Sequence, residues 1–362
     1  MKRQYKLTLL QIFPILVLFG CRSQSDLSQK LSKLNQKAVA QSDFIVDNQS
    51  EHSIKAKKVV GEAVDAYEQG DLNKAWTILE RAIQIDPTYG RAYYNRGVIQ
   101  EERGNITEAI VSYTQVVELQ TENIAPHFVL EKAYNNRSNL REDLNDGRGA
   151  VEDSNAAIAL NPNYAGYYAN RGLAYLDLKN YDNAILDHTR AIELEPNVPG
   201  WYHNRGMIYR KAGNYQLALK DLNRAIELNS NFNWAYYQRG RVNYKLKDYQ
   251  LAEADLTRAI ELNYKIARIY YFRGKARQHI GKYKGAVTDF SEYFYREPKD
   301  PSAHYFLANA YHSRVIAYHN LGNYQAAKAD AILAAEIYRH EGKKSGYQKM
   351  MKYLQGFSSL NY

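Results

Sequence analysis

Residues Ala165 to Val198 read AGYYANRGLAYLDLKNYDNAILDHTRAIELEPNV, and this stretch of 34 residues sets the pattern for the rest of the chain. Comparing the sequence with itself at a period of 34 finds the same unit eight times. The copies span 56–89, 90–123, 131–164, 165–198, 199–232, 233–266, 267–300 and 308–341. They cover most of the 362 residues, so the sequence predicts a repeat array in which each unit packs on its neighbours.

Small residues recur at fixed positions of the unit. Position 20 is alanine in all eight copies, position 8 is glycine in five, and position 27 is alanine in six. These residues let two helices approach closely, while large residues at positions 4 and 24, such as Tyr202 and Leu222, fill the space around them. A turn written GDL, GNI, KNY, GNY, KDY, GKY or GNY separates the two helices in seven copies, near a helix end where a left-handed residue is favoured. Four prolines follow the second helix and stop it from continuing: Pro87, Pro162, Pro196 and Pro298.

This arrangement of small and large residues resembles the tetratricopeptide repeat (TPR). The resemblance implies an all-α fold, a right-handed superhelical solenoid of antiparallel helix pairs with about eight TPR units and a concave peptide-binding groove. The array would span 56–341. The tail, 342–362, carries four apolar residues at helical spacing, as expected for a capping helix that covers the open end of a solenoid: Met350, Met351, Tyr353 and Leu354.

The N-terminus has the pattern of a secretory signal. Residues 1–20 begin with Lys2 and Arg3 and continue as an apolar run that is short for a transmembrane helix. The sequence LFGC that ends at Cys21 resembles a bacterial lipobox, and Cys21 is the only cysteine in the chain. The resemblance implies lipidation of Cys21 by acyl chains such as palmitate, with 21–55 as a lipidated N-terminus and flexible tether. The alternative is a plain secretory signal with an accidental cysteine.

Charged residues recur at two further positions of the unit. Position 7 is arginine in seven copies and position 23 is aspartate in six. If each arginine pairs with the aspartate of its own repeat, six pairs form and only Arg96 lacks a partner. If it pairs with the aspartate of the preceding repeat, more charges remain unmatched. Unmatched buried charges are costly. We therefore expect structural ion pairs within repeats between Arg137 and Asp153, Arg171 and Asp187, Arg205 and Asp221, Arg239 and Asp255, Arg273 and Asp289, and Arg314 and Asp330.

Two insertions of seven residues interrupt the period, at 124–130 and 301–307. Seven residues are about two helical turns, so a helix can lengthen there while its faces stay in phase. The insertions are either tolerated extensions or projecting helices that contact a partner or a second copy of the chain. A homo-oligomer is therefore one of the alternatives.

The two halves of the predicted array differ in formal charge. Residues 56–200 hold 14 basic and 22 acidic side chains, whereas 201–341 hold 22 basic and 13 acidic ones. In TPR proteins the groove is lined mainly by positions 2, 5, 6, 9, 12 and 13 of each first helix, and repeats five to seven place cations and aromatic rings there. The resulting candidate peptide-binding groove comprises Arg210, Lys211, Trp234, Tyr237, Arg241, Tyr244, Lys245, Arg268, Tyr271, Phe272, Lys275 and His279. Such a surface suits an extended acidic peptide, although solvated charges around packing tyrosines give the same pattern.

Catalytic and metal-binding patterns are weak. The histidines at 304, 312 and 319 are spaced too widely for a helical metal site, so we expect no metal, no cofactor and no enzyme activity. A secretory signal argues against nucleic acid as the partner. The resemblance to bacterial TPR lipoproteins implies an adaptor or scaffold for protein partners, held through its lipid anchor at the periplasmic or extracytoplasmic face of a bacterial membrane in the cell envelope. The alternative is a receptor for an anionic envelope glycan or lipid headgroup.

Overall fold

A computed structural model describes residues 51–121, 127–296 and 304–358 of the chain, and all regular secondary structure in these ranges is α-helical. The predicted all-α array of helix pairs is confirmed. The signal sequence, Cys21 and most of the tether lie outside the described residues. Two compact units divide the chain between Leu194 and Glu195, close to the border between the fourth and fifth repeats.

The described part of the first unit comprises four helix pairs. Its helices are α1 (Glu51–Glu68), α2 (Leu72–Ile85), α3 (Gly90–Glu102), α4 (Ile106–Thr121), α5 (His127–Asp143), α6 (Gly147–Leu160), α7 (Ala165–Asp177) and α8 (Tyr181–Leu194). The described part of the second unit comprises four more pairs and a final helix. These are α9 (Pro199–Lys211), α10 (Tyr215–Leu228), α11 (Asn233–Lys245), α12 (Tyr249–Glu261), α13 (Ala267–His279), α14 (Tyr283–Arg296), α15 (His304–Asn320), α16 (Tyr324–His340) and α17 (Lys344–Ser358).

The turn inside each pair depends on one left-handed residue at position 15. Its φ angle lies between 58° and 86° in all eight repeats. Glycine occupies this position in five copies, whereas Lys179 and Lys247 adopt the same conformation with a side chain, at a cost of about 1 kcal/mol each. The following residue precedes the second helix and can cap it; the Asp146 side chain, for example, accepts a hydrogen bond from the Gly149 amide at 3.0 Å.

Small residues hold the two helices of each pair close together. The alanine at position 20 is completely buried in all eight repeats. The glycine at position 8 faces the large side chain at position 24 of the same repeat. A Cβ atom on Gly206 would lie only 2.9 Å from Leu222 Cγ, so even alanine is too large there unless the leucine moves.

Buried ion pairs join the two helices of six repeats. In each pair the arginine at position 7 contacts the aspartate at position 23 of its own repeat, at 2.6 to 2.7 Å for the closest atoms. The aspartate side chains are at most 9% exposed. Arg96, which lacks such an aspartate, donates to Ser112 at the same position and contacts Glu80 of the preceding repeat at 3.5 Å.

The same arginines also reach the preceding repeat, which the sequence pattern did not reveal. One guanidinium nitrogen donates to a polar side chain at position 25, as Arg239 Nη1 does to Asn223 Oδ1 at 2.8 Å and Arg314 Nη1 does to Ser291 Oγ at 2.9 Å. Equivalent bonds join Arg137 to Thr114, Arg171 to Asn155 and Arg273 to Thr257. Each of these arginines therefore fixes both the pairing of its own helices and the register between neighbouring repeats.

The two insertions lengthen the first helices of their repeats. Helices α5 and α15 have 17 residues, whereas α3, α7, α9, α11 and α13 have 13 each. The described parts of the insertions, 127–130 and 304–307, add one turn to each helix. Residues 124–126 and 301–303 lie outside the described residues.

Helix α17 packs against α16 at the end of the second unit. Met350 is 3% exposed, and Met351, Tyr353 and Leu354 pack in the same apolar cluster as Val315. Within the described ranges, no helix combines the length and the apolar character that crossing a bilayer requires.

Replacing Asp255 by alanine should lower the free energy of unfolding by about 3 kcal/mol, because Arg239 then loses its carboxylate while it remains partly buried. Asn243, which is buried and donates to Asp255 at 2.9 Å, loses an acceptor as well. Urea unfolding followed by circular dichroism measures the change.

The matched control for this variant is Arg258→Ala in the same helix. Arg258 pairs with Glu261 in solvent, where the two side chains are 45% and 57% exposed, so its removal should change stability by no more than about 0.5 kcal/mol. Equal losses for Asp255→Ala and Arg258→Ala would contradict a structural role for the buried pair.

Candidate functional site

The candidate groove of the second unit contains two neighbouring arginines, Arg210 and Arg241, that form no ion pair within the described residues. Arg210 lies near the end of α9, and its Nε atom donates to Gln238 Oε1 of α11 at 3.0 Å. Burial and the nearby Arg241 guanidinium lower the pKa of Arg210 to about 10. No carboxylate among the described residues forms an ion pair with either arginine. Two desolvated like charges are unfavourable unless an anion lies between them.

Aromatic rings hold Arg241 in place. Its guanidinium carbon lies 5.3 Å from the centre of the Tyr237 ring and 4.9 Å from that of Phe272, within the range of a cation–π interaction. The Nε atom of Arg241 is buried and has no hydrogen-bond partner in the part of the chain that the structure describes. A buried N–H group without an acceptor is costly, so the described residues leave Arg241 incompletely compensated.

Lys275 extends this basic surface to the next first helix, α13. Its Nζ atom donates to Ser313 Oγ of α15 at 3.2 Å. Burial lowers the pKa of Lys275, and no described carboxylate forms an ion pair with it. We call Arg210, Arg241 and Lys275 the inner cations.

The inner cations differ from the arginines at position 7. Each of the six paired arginines faces a buried aspartate, and Arg96 has Glu80, so these charges are compensated inside the protein. Within the described residues, the inner cations have only the neutral Gln238 and Ser313 as polar partners. Among the described residues, the second unit therefore holds a set of positive charges that no carboxylate pairs with.

Four aromatic side chains of the candidate groove contact one another or a neighbouring tyrosine. Tyr244 contacts the Phe272 ring at 6.0 Å, Tyr271 contacts Phe272 at 5.3 Å, and the His279 ring stacks on Tyr249 at 4.1 Å. Burial and the neighbouring Tyr249 raise the pKa of Tyr244 to about 12.

Two of the predicted groove aromatics are covered, wholly or partly, by neighbouring side chains. Trp234 packs on Tyr264 at 4.5 Å and is partly buried. Tyr237 is only 4% exposed, so it supports Arg241 and offers no open surface to a ligand.

The other predicted cations of the groove are exposed. Lys211, Lys245 and His279 lie at the surface at the ends of α9, α11 and α13. Arg268 is also exposed and lies over the Phe306 ring at 5.2 Å. These side chains can add to the local potential, whereas the inner cations are the desolvated part of the surface.

His203 belongs to this site but was not among the predicted residues. It is 4% exposed, packs against Phe232 and Trp234, and contacts Asn204 Oδ1 through Nδ1 at 3.0 Å. Burial, together with the charge of Arg210, lowers its pKa to about 4, so the ring is neutral at pH 7. A histidine at position 5 of a first helix carries no signal in the sequence, because its burial depends on the neighbouring repeat.

The first unit has a carboxyl group where the second unit has a guanidinium. Glu142 occupies position 12 of the third repeat, as Arg210 does in the fifth. Burial and the nearby Asp177 and Asp143 raise the pKa of Glu142 to about 8. The two units therefore present different chemistry at corresponding positions of their first helices.

Two histidines of α15 contact tyrosine hydroxyl groups. His312 contacts Tyr338 and His319 contacts Tyr353, each through Nδ1. The described residues contain no group of three His, Cys, Asp or Glu side chains that could hold a metal ion.

Family models match the chain in both units. Tetratricopeptide repeat models match residues 90–123, 165–198, 201–232, 237–293 and 303–341, and a TPR repeat model matches 65–102. Together these matches cover more than half of the sequence. The chain belongs to the tetratricopeptide repeat family. No curated protein sequence matches it significantly.

Several solved TPR structures share this fold. A tetratricopeptide repeat protein from Parabacteroides merdae is 22% identical, with a TM-score of 0.58 over 70% of this chain and 98% of that one. PilF from Pseudomonas aeruginosa is 13% identical, with a TM-score of 0.54 over 62% of this chain and 97% of that one. A chain of the APC/C hetero-tetramer Cut9–Hcn1 is 16% identical, with a TM-score of 0.56 over 94% of this chain and 61% of that one. TPR folds typically serve as non-catalytic scaffolds, and membership of the family supports a role as a protein–protein interaction adaptor.

Acidification should destabilise this TPR protein through His203. The unfolded histidine binds a proton near pH 6.5, whereas the buried one does so only near pH 4, so stability falls as the pH is lowered between these values. Between pH 7 and pH 5 the loss from this residue should be about 2 kcal/mol.

A His203→Phe variant should lack this part of the pH dependence, because phenylalanine keeps the contacts with Phe232 and Trp234 but does not titrate. Urea unfolding at pH 7 and pH 5 provides the comparison. An unchanged pH dependence in the variant would show that His203 is protonated in the folded protein at pH 5.

Proposed function

We propose that this TPR protein is a lipid-anchored adaptor of the bacterial cell envelope that binds extended acidic segments of partner proteins along the inner cations of its second unit. TPR membership supports the adaptor role. The acidic class of ligand is inferred from the charges in the site, and the anchor is inferred from the N-terminal sequence.

The observation that supports an acidic ligand is the absence of internal compensation. The buried Nε atom of Arg241 has no acceptor among the described residues, and Arg210 and Lys275 have only neutral ones. Carboxylates are suited to this site because a guanidinium forms short, charge-assisted hydrogen bonds to them. Partial burial makes such bonds stronger than those of exposed lysines.

Aromatic contacts favour a peptide over a simple polyanion. Phe272 lies beside Arg241 and contacts Tyr271, and both rings are partly buried and give the site apolar surface for side chains of a bound segment. A glycan or lipid headgroup would interact mainly with total charge, which includes the exposed Lys245 and Arg268. The two ligand classes therefore differ in how much they depend on the inner cations.

A triple variant of the inner cations, Arg210→Gln, Arg241→Gln and Lys275→Gln, tests the peptide site. Binding of fluorescently labelled acidic peptides, measured by anisotropy, should weaken by about 1,000-fold, because each of the three lost charge-assisted bonds contributes about 1.5 kcal/mol. Circular dichroism verifies that the variant is folded.

The matched control replaces three exposed lysines of the second unit, Lys220, Lys265 and Lys284, by glutamine. It removes the same formal charge, and acidic peptides should bind it almost as tightly as the wild type. Equal weakening in both triple variants, with the same result for heparin as a model polyanion, would favour bulk charge and the glycan or headgroup alternative. Unchanged peptide binding in the inner variant would reject the proposed site.

Cys21→Ala should release the protein from the membrane fraction of the native bacterium, since alanine cannot carry the acyl chains. Mass spectrometry of the N-terminal peptide should show lipid on Cys21 of the wild-type protein only. Release of both proteins into the soluble fraction, with an unmodified Cys21, would instead identify a plain secretory signal.

A further inference from the structure

The final helix, α17, exposes a face on which lysine is the only charged residue type. The exposed residues between 344 and 356 are Lys344, Ser345, Gln348, Lys349, Lys352, Gln355 and Gly356. With 3.6 residues per turn, they fall within an arc of about 140° around the helix axis. The opposite side of α17 packs in the apolar cluster that includes Val315 and Met350. We call Lys344, Lys349 and Lys352 the terminal lysine face.

No described carboxylate forms an ion pair with the terminal lysine face. The sequence from 342 to 362 contains no aspartate or glutamate. Glu341, at the end of α16, contacts His340 at 3.6 Å, and Glu336 of α16 is exposed. The exposed surface of α17 therefore has a single sign of charge.

Other exposed helix faces of this chain combine both signs. Each of three successive repeats pairs an exposed arginine at position 26 with a glutamate three residues later: Arg190 with Glu193, Arg224 with Glu227, and Arg258 with Glu261. These pairs make the outer surfaces of the second helices nearly neutral. The terminal lysine face differs from them because its charge is not balanced along the helix.

Two exposed apolar residues of α16 border this face. Ile332 and Leu333 are 43% and 41% exposed and occupy positions 25 and 26 of the eighth repeat. In earlier repeats, position 25 bonds to the arginine at position 7 of the following first helix. Continuing the period of 34 residues places Gln348 at position 7, between the lysines of α17. Ile332 therefore lies on the side of α16 that adjoins the terminal lysine face.

We propose that the terminal lysine face, together with Ile332 and Leu333, binds the surface of an anionic phospholipid bilayer. Lysines near such a surface are attracted by its negative potential, and neighbouring apolar side chains can enter the boundary between headgroups and acyl chains. Lipid headgroups move laterally, so three lysines on one exposed face need no preformed cavity. A second copy of the chain does not suit this face, because two lysine faces repel each other.

Helix α17 lies on the bilayer in this arrangement and does not insert its own apolar side. Tyr353, Leu354 and Met351 pack against the rest of the second unit, so they are not available to the lipid. The contact is therefore mainly electrostatic, and raising the salt concentration should weaken it.

This inference rests on the proposed lipid anchor, because the anchor keeps the chain at a bilayer. A weak contact becomes effective once both partners are held together, since its local concentration is high. The tether precedes the first unit, whereas α17 ends the second unit. The terminal lysine face would thus give the chain a second attachment to the membrane.

Acetylation of lysines, measured by mass spectrometry, tests the contact on the full-length lipoprotein. The protein is added to preformed vesicles of phosphatidylcholine or of an equal mixture of phosphatidylcholine and phosphatidylglycerol, and an uncharged acetylating reagent follows. The rates at Lys344, Lys349 and Lys352 should be about fivefold lower with the mixture, and the difference should disappear at high salt. Lys220, Lys265 and Lys284, which are exposed elsewhere in the second unit, provide internal references with equal rates on both vesicles.

Paired variants test whether the lysines act together. In Lys349→Gln/Lys352→Gln, the remaining Lys344 should lose its protection, whereas in Lys265→Gln/Lys284→Gln, which removes the same formal charge, Lys344 should stay protected. Circular dichroism verifies that both variants are folded. Protection of Lys344 to the same degree in both variants would overturn the proposal.

Three other results would also overturn it. The first is equal acetylation of the terminal lysine face on both kinds of vesicle. The second is protection of Lys275 in place of this face, which would place the lipid at the inner cations. The third is equal protection by heparin on phosphatidylcholine vesicles, which would show a general polyanion site in place of a bilayer contact.

Flotation separates failure of the anchor from failure of this face. Phosphatidylcholine vesicles carry no net charge, so only the acyl chains should hold the protein to them. Protein that floats with these vesicles but shows no protected lysines on the mixture would overturn the lysine face alone. Protein that does not float with them, yet is protected on the mixture, would support the face and overturn the anchor.

Discussion

The close contact between the two helices of each repeat is the constraint on which the rest of the structure depends. Alanine at position 20 is fully buried in every repeat, and glycine at position 8, where present, touches the large residue at position 24. Because the helices meet at these small residues, the arginine at position 7 can reach the aspartate at position 23. The same contact decides which residues of the first helix point away from the second helix, so it also positions the inner cations.

Arginine has two distinct roles in this protein, and burial alone does not separate them. Arg239 and Arg273 are partly buried and bonded to aspartate, so they stabilise helix pairs. Arg210 and Arg241 are also partly buried, but the described residues give them only a glutamine oxygen and aromatic rings. The distinction is whether a carboxylate of the protein itself compensates the charge. Where no described carboxylate does so, the charge is compensated by solvent or by a bound anion.

The fold could be predicted from the sequence because the residues that form each helix pair lie within one 34-residue repeat. The turn residues, the small positions and the six arginine–aspartate combinations all recur at fixed spacing, and the structure places the members of each combination in contact. Contacts between repeats were harder to predict, since residues such as Asn223 and Arg239 lie in different copies. A hydrogen bond to position 25 was detectable in principle, because polar residues recur there in the first seven copies.

The site was only partly predictable for the same reason. The positions of Arg210, Arg241 and Lys275 followed from the TPR resemblance, but their lack of acidic partners depends on which side chains neighbouring helices bring beside them. The burial of Tyr237 and His203 likewise depends on packing between helices that are distant in sequence. A residue that does not recur at the same position of other repeats gives no periodic pattern from which its burial or contacts can be predicted.

The polar residues at position 25 also affect where repeats can be added to the array. A copy that carries Asn, Thr, Ser or Glu there can be duplicated or deleted as a block, since the arginine that follows still finds an oxygen acceptor and each aspartate keeps the arginine of its own copy. The eighth copy has Ile332 at this position and is followed by α17. A ninth repeat added after it would place its position-7 arginine beside a hydrocarbon side chain. Position 25 therefore supports addition of repeats within the array, whereas a repeat added at its end would lack this acceptor.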